Sequence, residues 1–405
     1  MFRVKYSNVC LFGALGTFAI ISKIIFDKIY LTSKIIVDEE FHLPLGEAYC
    51  KYEFDKVIAS LWHPKVTTFP GLYLVSSLLL GTVNLCSVYW LRLISLLFSF
   101  INILLFYCLQ NMNNEPSWKN IFSAINLGLL PPLYFFSHLY YTDVASLTMI
   151  LLLFILSQRG NHYLASIFGI CAVLFRQTNI IWVGMVFGSF ILKELNAINQ
   201  KKPRRVSQGV TFKEALQFFK GDLWITLRRA SLNFWLNATS YGSLLIFFLV
   251  FVYLNGSIVV VASSLVIIHF NTLVHPYMLA DNRHYVFYIW NRFYGKYFLF
   301  RYLMVPIYLF SLFVIISKLW NKRDVTFLLF FIPCTSIVLI TQRLLEFRYF
   351  FVPYVLFRTQ LTNITLQSLL YEFLTYLLLN ICTFYLFFTK TIEWDDFDYP
   401  QRLIW

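Results

Sequence analysis

The sequence predicts an all-α polytopic membrane protein, and its composition and its long apolar runs are the two observations behind this prediction. Of the 405 residues, 59% are hydrophobic, 20% are aromatic and only 13% are charged, whereas a soluble domain carries about 25% charged residues. The runs are continuous, while the strands of a transmembrane barrel alternate over roughly ten residues. We expect about 10–12 transmembrane helices of about 20 residues each, in a single domain over residues 1–405.

The positions of the apolar runs give the expected spans. The run at 349–359 is short, which indicates a half-span. The first run follows two basic residues, exceeds the length of a signal-peptide core and lacks a small-residue cleavage site, so we expect an uncleaved anchor with a cytoplasmic N-terminus. The expected spans are 9–25, 69–89, 91–109, 120–140, 143–158, 162–190, 239–268, 298–317, 324–341, 349–359 and 364–389.

Two long polar segments set the expected topology. Segment 191–238 is rich in lysine and arginine and poor in acids, so the positive-inside rule predicts a basic cytoplasmic loop. Six expected spans precede it, which agrees with a cytoplasmic N-terminus. Segment 26–68 carries many carboxylates and is the predicted first lumenal loop. The same count places Asp143 on the cytoplasmic side, although Pro131-Pro132 interrupts the fourth run and weakens that assignment.

The net charge of +13 indicates contact with anionic membrane lipid rather than with nucleic acid, since no nucleic-acid module is recognisable. The sequence has no P-loop, no dinucleotide fingerprint and no soluble nucleotide-sugar domain. We expect no cofactor and no metal. If the chain is a transferase, its donor arrives already attached to lipid.

Cysteines and glycosylation acceptors are less informative. Six of the seven cysteines lie within or beside apolar runs, so we expect no disulfide framework and no metal-ligand spacing. The acceptor patterns at Asn237, Asn255 and Asn363 lie near or within expected spans, which favours their being unused.

The first constellation that can carry chemistry follows the first span. Asp38, Glu39 and Glu40 precede His42 within one short stretch. If a helix begins here, Asp38 and His42 lie on one face, and a carboxylate there can act as a general base toward a hydroxyl. The alternative is a solvated loop with ordinary acids.

A second constellation is Arg176-Gln177 inside the sixth expected span. An arginine in such a position either lines a water-filled cavity or extends its side chain to the interface. The sequence leaves both interpretations open.

A third constellation is the polar run at 275–285, whose members are His275, Asp281, Asn282, Arg283 and His284. Charged groups near hydrocarbon are costly, about 2.5–3.5 kcal/mol at the bilayer centre, so an interaction must compensate for the charges in this run. Arg283 can bind a substrate phosphate, or Asp281 and Arg283 can pair with each other.

Two smaller features have similar alternatives. Glu346 and Arg348 can form a structural ion pair or contact substrate. Asp143 opens the fifth expected span, where it is equally plausible as a helix cap and as a ligand.

Together these stretches resemble the dolichyl-phosphate-glucose α-1,2-glucosyltransferases, which add the last glucose to the lipid-linked oligosaccharide of N-glycosylation. The resemblance reaches from residue 38 to about residue 358. The matching stretches are Asp38–His42, Tyr49-Cys50, Trp62–Thr68, Pro70–Tyr73, Tyr140–Val144, Phe175–Asn179, 275–285 and 344–350.

The resemblance implies a C-type, lipid-sugar-dependent glycosyltransferase fold in the endoplasmic reticulum membrane, with a lumenal active site. It implies dolichyl-phosphate glucose as donor and a dolichyl-diphosphate oligosaccharide as acceptor. By this analogy, Asp38 is the expected base and Glu39 the alternative. The expected substrate-binding residues are His42, Arg176, Gln177, His275, Asp281, Asn282, Arg283, His284, Glu346 and Arg348.

The sequence departs from the family pattern near residue 260. A polar Gly-Asp-Lys-Ser-x-His motif and about one span are missing where Asn255–Val260 continues directly into Val261–Ser264. Loss of one span would reverse the sidedness of everything that follows. A transporter or lipid scramblase, and a non-catalytic scaffold or channel modulator, therefore stay as alternatives.

Overall fold

The structure is a computed structural model that describes residues 2–56, 66, 68–199, 209–217, 227–254, 281–297, 299–320, 324–340, 346–394 and 397–405. These residues are almost entirely helical, which confirms the all-α fold class. The helices are α1 (Phe2–Thr32), α2 (Glu39–Cys50), α3 (Phe54–Lys56), α4 (Gly71–Leu80), α5 (Val88–Asn113), α6 (Trp118–Gly128), α7 (Pro131–Phe136), α8 (Thr142–Gln158), α9 (His162–Phe175), α10 (Ile180–Asn199), α11 (Phe212–Gln217), α12 (Leu232–Leu254), α13 (Tyr285–Ile289), α14 (Phe300–Leu319), α15 (Thr326–Ile340), α16 (Phe351–Gln360) and α17 (Leu366–Thr389).

Short elements complete the fold. Single 3₁₀ turns occupy Gly81–Val83, Gln177–Asn179 and Phe347–Phe350, and a π-turn occupies Trp290–Tyr294. Strands β1 (Thr391–Ile392) and β2 (Gln401–Arg402) pair antiparallel.

The chain is a multi-pass membrane protein by the length and composition of its helices. Five described helical stretches are long and apolar enough to cross a membrane: Val9–Thr32, Val88–Asn113, Gln177–Ile198, Leu232–Phe251 and Leu366–Thr389. Five shorter apolar stretches of 10–17 residues accompany them. Many apolar side chains on these helices are exposed, which is the expected surface toward lipid.

The helices have two common ends. At one end, here called the site end, an ion pair joins Asp38 after α1 to Arg348 before α16. At the other end, the side-chain amide of Asn113, the last residue of α5, donates to the Thr359 carbonyl at the end of α16 over 2.9 Å. Both α5 and α16 therefore run from the site end to the opposite end.

The predicted span at 69–89 is wrong, because α4 begins and ends at the site end. Gly71 lies against the backbone of α9 where α9 finishes. At its other end, α4 packs on α2 near Cys50, and α5 starts at the site end again. A helix of ten residues is only about 15 Å long, half the thickness of the hydrocarbon layer.

This arrangement also corrects the expectation that no disulfide is present. Cys50 and Cys86 form a disulfide with a Cα–Cα distance of 5.6 Å. The sequence placed Cys86 inside a span, but α4 ends at Leu80 and leaves Cys86 in a loop beside the end of α2.

The predicted span at 162–190 is also wrong as one helix. The chain breaks at Arg176 and Gln177–Asn179, so α9 and α10 are separate passes. These two errors cancel, because α1, α5, α6 with α7, α8, α9 and α10 are still six passes before the basic segment, with α6 and α7 forming one pass broken at Pro131. Asp143 consequently lies at the site end, where Arg348 contacts both Asp143 and Asp38, and the expectation that these two aspartates lie on opposite sides of the membrane is wrong.

A large apolar cluster of α1, α2, α5, α7 and α8 supports the site end, with fully buried Leu91, Leu147 and Phe135 among its members. A second cluster, centred on Trp182 and Val183 of α10, supports α15 and α16. The two clusters fix the distance between α2 and the turn before α16, which carry the two halves of the site.

Candidate active site

Asp38 occupies the position immediately before α2, but its carboxylate does not cap the helix. An aspartate at this position usually accepts from the backbone of the first turn, but here no such side-chain bond forms. The preceding residue, Val37, has φ of 45°, a conformation that is unfavourable for a β-branched side chain. The chain thus accepts local strain in the turn that delivers Asp38.

Glu39, the expected alternative base, is fully buried and fully engaged. Its carboxylate accepts from Nε and Nη2 of Arg92 at 2.9 and 2.6 Å, and from the backbone N–H groups of Tyr140 and Ile36 at 2.8 and 3.1 Å. Four donors leave it no room to approach a substrate. Breaking a buried pair of this kind costs about 3–5 kcal/mol, so these contacts of Glu39 fix the loop that carries Asp38.

Tyr141 holds the same turn from the other side. Its hydroxyl accepts from the Asp38 backbone N–H at 3.1 Å and donates to the Ile36 carbonyl at 3.1 Å. The side chain is buried. Together with Glu39, this contact determines where the Asp38 carboxylate lies.

Arg348 is the centre of the charge network. Its Nη2 contacts the Asp38 carboxylate at 2.8 Å, and its Nε donates to Glu346 at 2.7 Å. Nη1 lies 3.7 Å from Asp143. The guanidinium also lies over the ring of Tyr141, 5.2 Å from the centroid. The Glu346–Arg348 pair expected from the sequence is present, and it extends to two further carboxylates.

Arg176 reaches the same network from the break between α9 and α10. Its Nη2 lies 3.1 Å from Asp143, and its guanidinium lies 5.3 Å from the ring centroid of Tyr349. Its Nε is buried and meets no hydrogen-bond acceptor among the described residues. Of the two interpretations of this arginine, the structure favours the lining of a polar cleft over extension to an interface.

The charges around Asp38 decide its ionisation. Burial opposes the charged form, but the attraction and the hydrogen bond of Arg348 outweigh it, so the pKa of Asp38 is lowered below its ordinary value. Arg348 is also buried, yet Glu346, Asp38 and Asp143 raise its pKa well above the usual range. Both groups are therefore charged at neutral pH.

His42 lies one helical turn after Asp38, as the spacing predicted. Its Nδ1 is 2.6 Å from the Tyr73 hydroxyl. Burial lowers the pKa of His42 to about 4, against the opposing attraction of Asp38, so the ring is neutral. Gln177 follows Arg176 directly and is partly exposed.

The segment 281–284 forms a neighbouring cluster that contains the internal Asp281–Arg283 pair, one of the two alternatives that the sequence left open. Arg283 is 9% exposed, and its Nε and Nη2 donate to Asp281 at 3.0 and 2.9 Å. Asn282 accepts from the indole N–H of Trp394 at 2.9 Å. The Nδ1 of His284 lies 3.1 Å from the carbonyl of Trp405, and the Trp405 ring lies 5.4 Å from that of Phe347, the neighbour of Arg348, so this cluster borders the site. His275 lies outside the described residues.

A polar cleft and an apolar groove adjoin the network. The groove has a volume of about 460 Å³, and Phe351 lines both spaces. The cleft is lined by Asp143, Ser146, Arg176, Thr178, Asn179, Trp182, Val338, Arg348, Tyr349, Phe351 and Val352. The groove is lined by Leu130, Pro132, Leu312, Ile315, Phe331, Ile332, Thr335, Ser336, Leu339, Phe347, Phe350, Phe351, Pro353, Tyr354 and Phe357.

The site can bind an anion with two arginines beside a partly exposed carboxylate, and it can hold an apolar chain next to that anion. Sequence reasoning brought Asp38, Arg176, Glu346 and Arg348 forward but assigned no role to Arg92. The available signal was a lone arginine in an otherwise apolar run, which is costly unless it is paired.

The comparisons with known proteins agree with the resemblance of the motifs. A sequence model of the DIE2/ALG10 family matches residues 32–264 and 259–359. The two matched pieces meet at the position where the sequence departs from the family pattern. No solved structure matches this chain.

Three relatives carry one name, Dol-P-Glc:Glc(2)Man(9)GlcNAc(2)-PP-Dol alpha-1,2-glucosyltransferase. The one from Drosophila melanogaster is 40% identical over 96% of this chain and 97% of its own. The one from Homo sapiens is 33% identical over 91% and 93%, and the one from Arabidopsis thaliana is 26% identical over 91% and 94%. The first alignment runs over 451 positions, more than the 405 residues of this chain, so that relative has residues that this chain lacks.

Proposed function

The chain belongs to the DIE2/ALG10 family, and from this premise we propose that it transfers glucose from dolichyl β-D-glucosyl phosphate to the diglucosylated dolichyl-diphosphate oligosaccharide. The product carries a terminal α-1,2-linked glucose and completes the N-glycan precursor. The observation that carries this proposal is the Asp38–Arg348 ion pair at 2.8 Å, which joins a base to an anion-binding group from a distant part of the chain.

The reaction is a single displacement, because a β-linked donor gives an α-linked product. The acceptor hydroxyl oxygen bonds to the anomeric carbon, and its proton passes to the Asp38 carboxylate. The bond from that carbon to the phosphate oxygen breaks, and dolichyl phosphate leaves with the electron pair. General-base assistance of this kind contributes about 10²–10⁴-fold.

The two arginines stabilise the leaving phosphate. Arg348 carries a guanidinium fork that suits a phosphate, and Arg176 has a buried Nε without an acceptor among the described residues. Charge that develops on the phosphate oxygen is stabilised by such preorganised donors. Phosphate is a competent leaving group, so the scheme needs no dedicated acid.

The apolar groove fits the isoprenoid chain of the donor. It is lined by Phe347 and Phe350, which flank Arg348 in the sequence, so an extended apolar chain in the groove places its phosphate at the arginine. Asp281, Asn282 and His284 border the site, and we assign them to the sugar and oligosaccharide, together with Gln177.

The site end faces the lumen of the endoplasmic reticulum in this proposal. The Cys50–Cys86 disulfide supports an oxidising compartment on that side. The basic segment 191–238 was expected to be one loop, but the structure includes its first residues in the end of α10 and its last residues in the start of α12. Lys193, near the end of α10, lies 3.3 Å from Asp324 at the end opposite the site, which supports a cytoplasmic position for this end. The missing span near residue 260 does not reverse sidedness, since the segment 346–350 contacts Asp38.

The function is tested in microsomes from cells that lack this glucosyltransferase and whose lipid-linked oligosaccharide stops at two glucoses. Expression of the chain should restore the third glucose, and Asp38→Asn should lower the transfer rate by about 10²–10⁴-fold at normal expression. Asp55→Asn, on an exposed residue of α3, is the matched control and should transfer normally.

Two outcomes would contradict the proposal. Oligosaccharides that stop at two glucoses despite expression of the chain would leave the transporter or scaffold interpretation in its place. Full activity of Asp38→Asn would remove Asp38 as the base while keeping the family function.

A further inference from the structure

Residues 391–394 and 397–405, here called the strap, return to the site end after α17. Strands β1 and β2 close the strap on itself. Arg402 donates to the carbonyls of Phe387 and Phe388 at 3.3 and 3.0 Å, and to the Thr32 carbonyl at 3.4 Å. The strap is therefore anchored to the end of α1, from which the turn that carries Asp38 departs.

The strap also clasps the segment 281–285. The backbone N–H of Ile404 donates to the Arg283 carbonyl at 2.8 Å, and the Tyr285 N–H donates to the Ile404 carbonyl at 3.0 Å. The Nδ1 of His284 lies 3.1 Å from the carbonyl of Trp405. Through these bonds, Ile404 pairs with the segment as a residue of a neighbouring strand does. The position of the segment therefore depends on the strap.

Side chains strengthen this clasp. Nη1 of Arg283 donates to Gln401 at 3.2 Å, and its guanidinium stacks 4.2 Å from the ring centroid of Trp394. Trp394 and Gln401 of the strap thus pack against a buried arginine.

Trp405 connects the strap to the reactive half of the site. Its ring lies perpendicular to that of Phe347 with a centroid distance of 5.4 Å, and 5.2 Å from the ring centroid of Tyr285. Its indole N–H is buried and meets no acceptor among the described residues. Phe347 directly precedes Arg348, so the contact fixes the start of the 3₁₀ turn that aims the guanidinium.

We propose that the strap is part of the active site and that Trp405 is a positioning residue, which holds Arg348 against Asp38 through Phe347. The inference rests on the proposed function, because it assigns the strap to the same reaction. A misplacement of about 1 Å in a catalytic group costs as much as 10²-fold in rate. Arg348 contacts both Asp38 and Asp143, so a shift of its guanidinium disturbs both contacts.

The test compares Trp405→Ala with Trp405→Phe in the microsomal transfer assay. The alanine variant should lower kcat on the order of tenfold with little change in the donor KM, because Arg348 is displaced but present. The phenylalanine variant keeps the ring contact and should restore most of the rate. Trp118→Ala, which removes a half-exposed tryptophan at the opposite end, is the matched control and should transfer normally.

A rate unchanged by Trp405→Ala would show that the strap only covers the surface, and a faster rate would show that it restrains the enzyme. Either result overturns the proposal. So does a phenylalanine variant that is as slow as the alanine variant.

Hydrogen exchange on the purified full chain provides a measurement that needs no activity. Trp405→Ala should speed exchange in peptides that cover 281–285 and 346–350 together, while peptides from α5 stay protected. Unchanged exchange in 346–350 overturns the positioning argument even if the chain transfers glucose. Faster exchange in a chain that does not transfer glucose would reject the proposed function and leave the strap contact standing.

Discussion

Arg348 and Arg283 begin from the same local pattern, an acidic residue two positions before the arginine, and they end in different surroundings. Arg348 keeps its pair with Glu346 and also reaches Asp38 and Asp143 from other parts of the chain. Arg283 keeps its pair with Asp281 and is closed off by Gln401 and the ring of Trp394. The pattern predicts an ion pair in both places, and only the tertiary neighbours decide which arginine faces a cleft.

The largest expected effect separates these two arginines. Arg348→Gln should lower kcat for glucose transfer by about 10²–10³-fold, because the leaving phosphate loses a preorganised donor. Arg283→Gln should lower it by less than about tenfold, through loosening of the strap, while the thermal unfolding temperature falls. Transfer kinetics and thermal unfolding of the two variants measure this difference.

The comparison would fail if Arg283→Gln were as slow as Arg348→Gln and also raised the donor KM. In that case, the segment 281–284 would grip the phosphate, as the sequence alone first indicated.

A smaller effect distinguishes two adjacent buried tyrosines. Tyr141→Phe removes the hydroxyl that bridges the Asp38 N–H and the Ile36 carbonyl, so kcat should fall by about three- to tenfold, as expected for the net loss of one or two hydrogen bonds. Tyr140→Phe removes a hydroxyl that contacts Ser76 at 2.6 Å and should leave kcat nearly unchanged. The assay compares the rates of the two variants at matched expression.

Equal loss in both tyrosine variants would mean that core packing, and not the position of Asp38, controls the rate. An unaffected Tyr141→Phe variant would show that Glu39 alone is sufficient to hold the turn.

Much of the fold follows from the sequence, because apolar length determines whether a helix can cross a membrane. The exceptions are local. The run at 69–89 is apolar enough for a span, yet α4 stops at Leu80 and packs against α2. The mistaken span placed Cys86 within a helix and placed Asp143 on the side opposite Asp38. The run at 162–190 hides the break at Arg176, because one charged residue does not reveal whether a helix continues.

The site was predictable in part, because charged residues stand out in a mostly apolar sequence. The acidic cluster after the first span and the resemblance brought Asp38 forward. For Arg176 and Arg348, the signal was a charge within or between apolar runs. It does not reveal partners, so the sequence left Glu39 as an alternative base, whereas the structure pairs it with Arg92. The contact between Trp405 and Phe347 joins residues far apart in the chain and has no local signature.

The central claim is that Arg348 keeps Asp38 ionised as the base, and the pH dependence of transfer tests it most directly. Burial is the largest influence on Asp38 and raises its pKa, and Arg348 is the first of the groups that reverse it. Activity that needs the charged carboxylate is lost as pH falls through this lowered pKa, so the wild-type rate should stay level until the pH falls below the ordinary pKa range of an aspartate. In Arg348→Gln, the remaining rate should decline on the acid side at a distinctly higher pH. An acid limb at the same pH in both proteins would contradict the account.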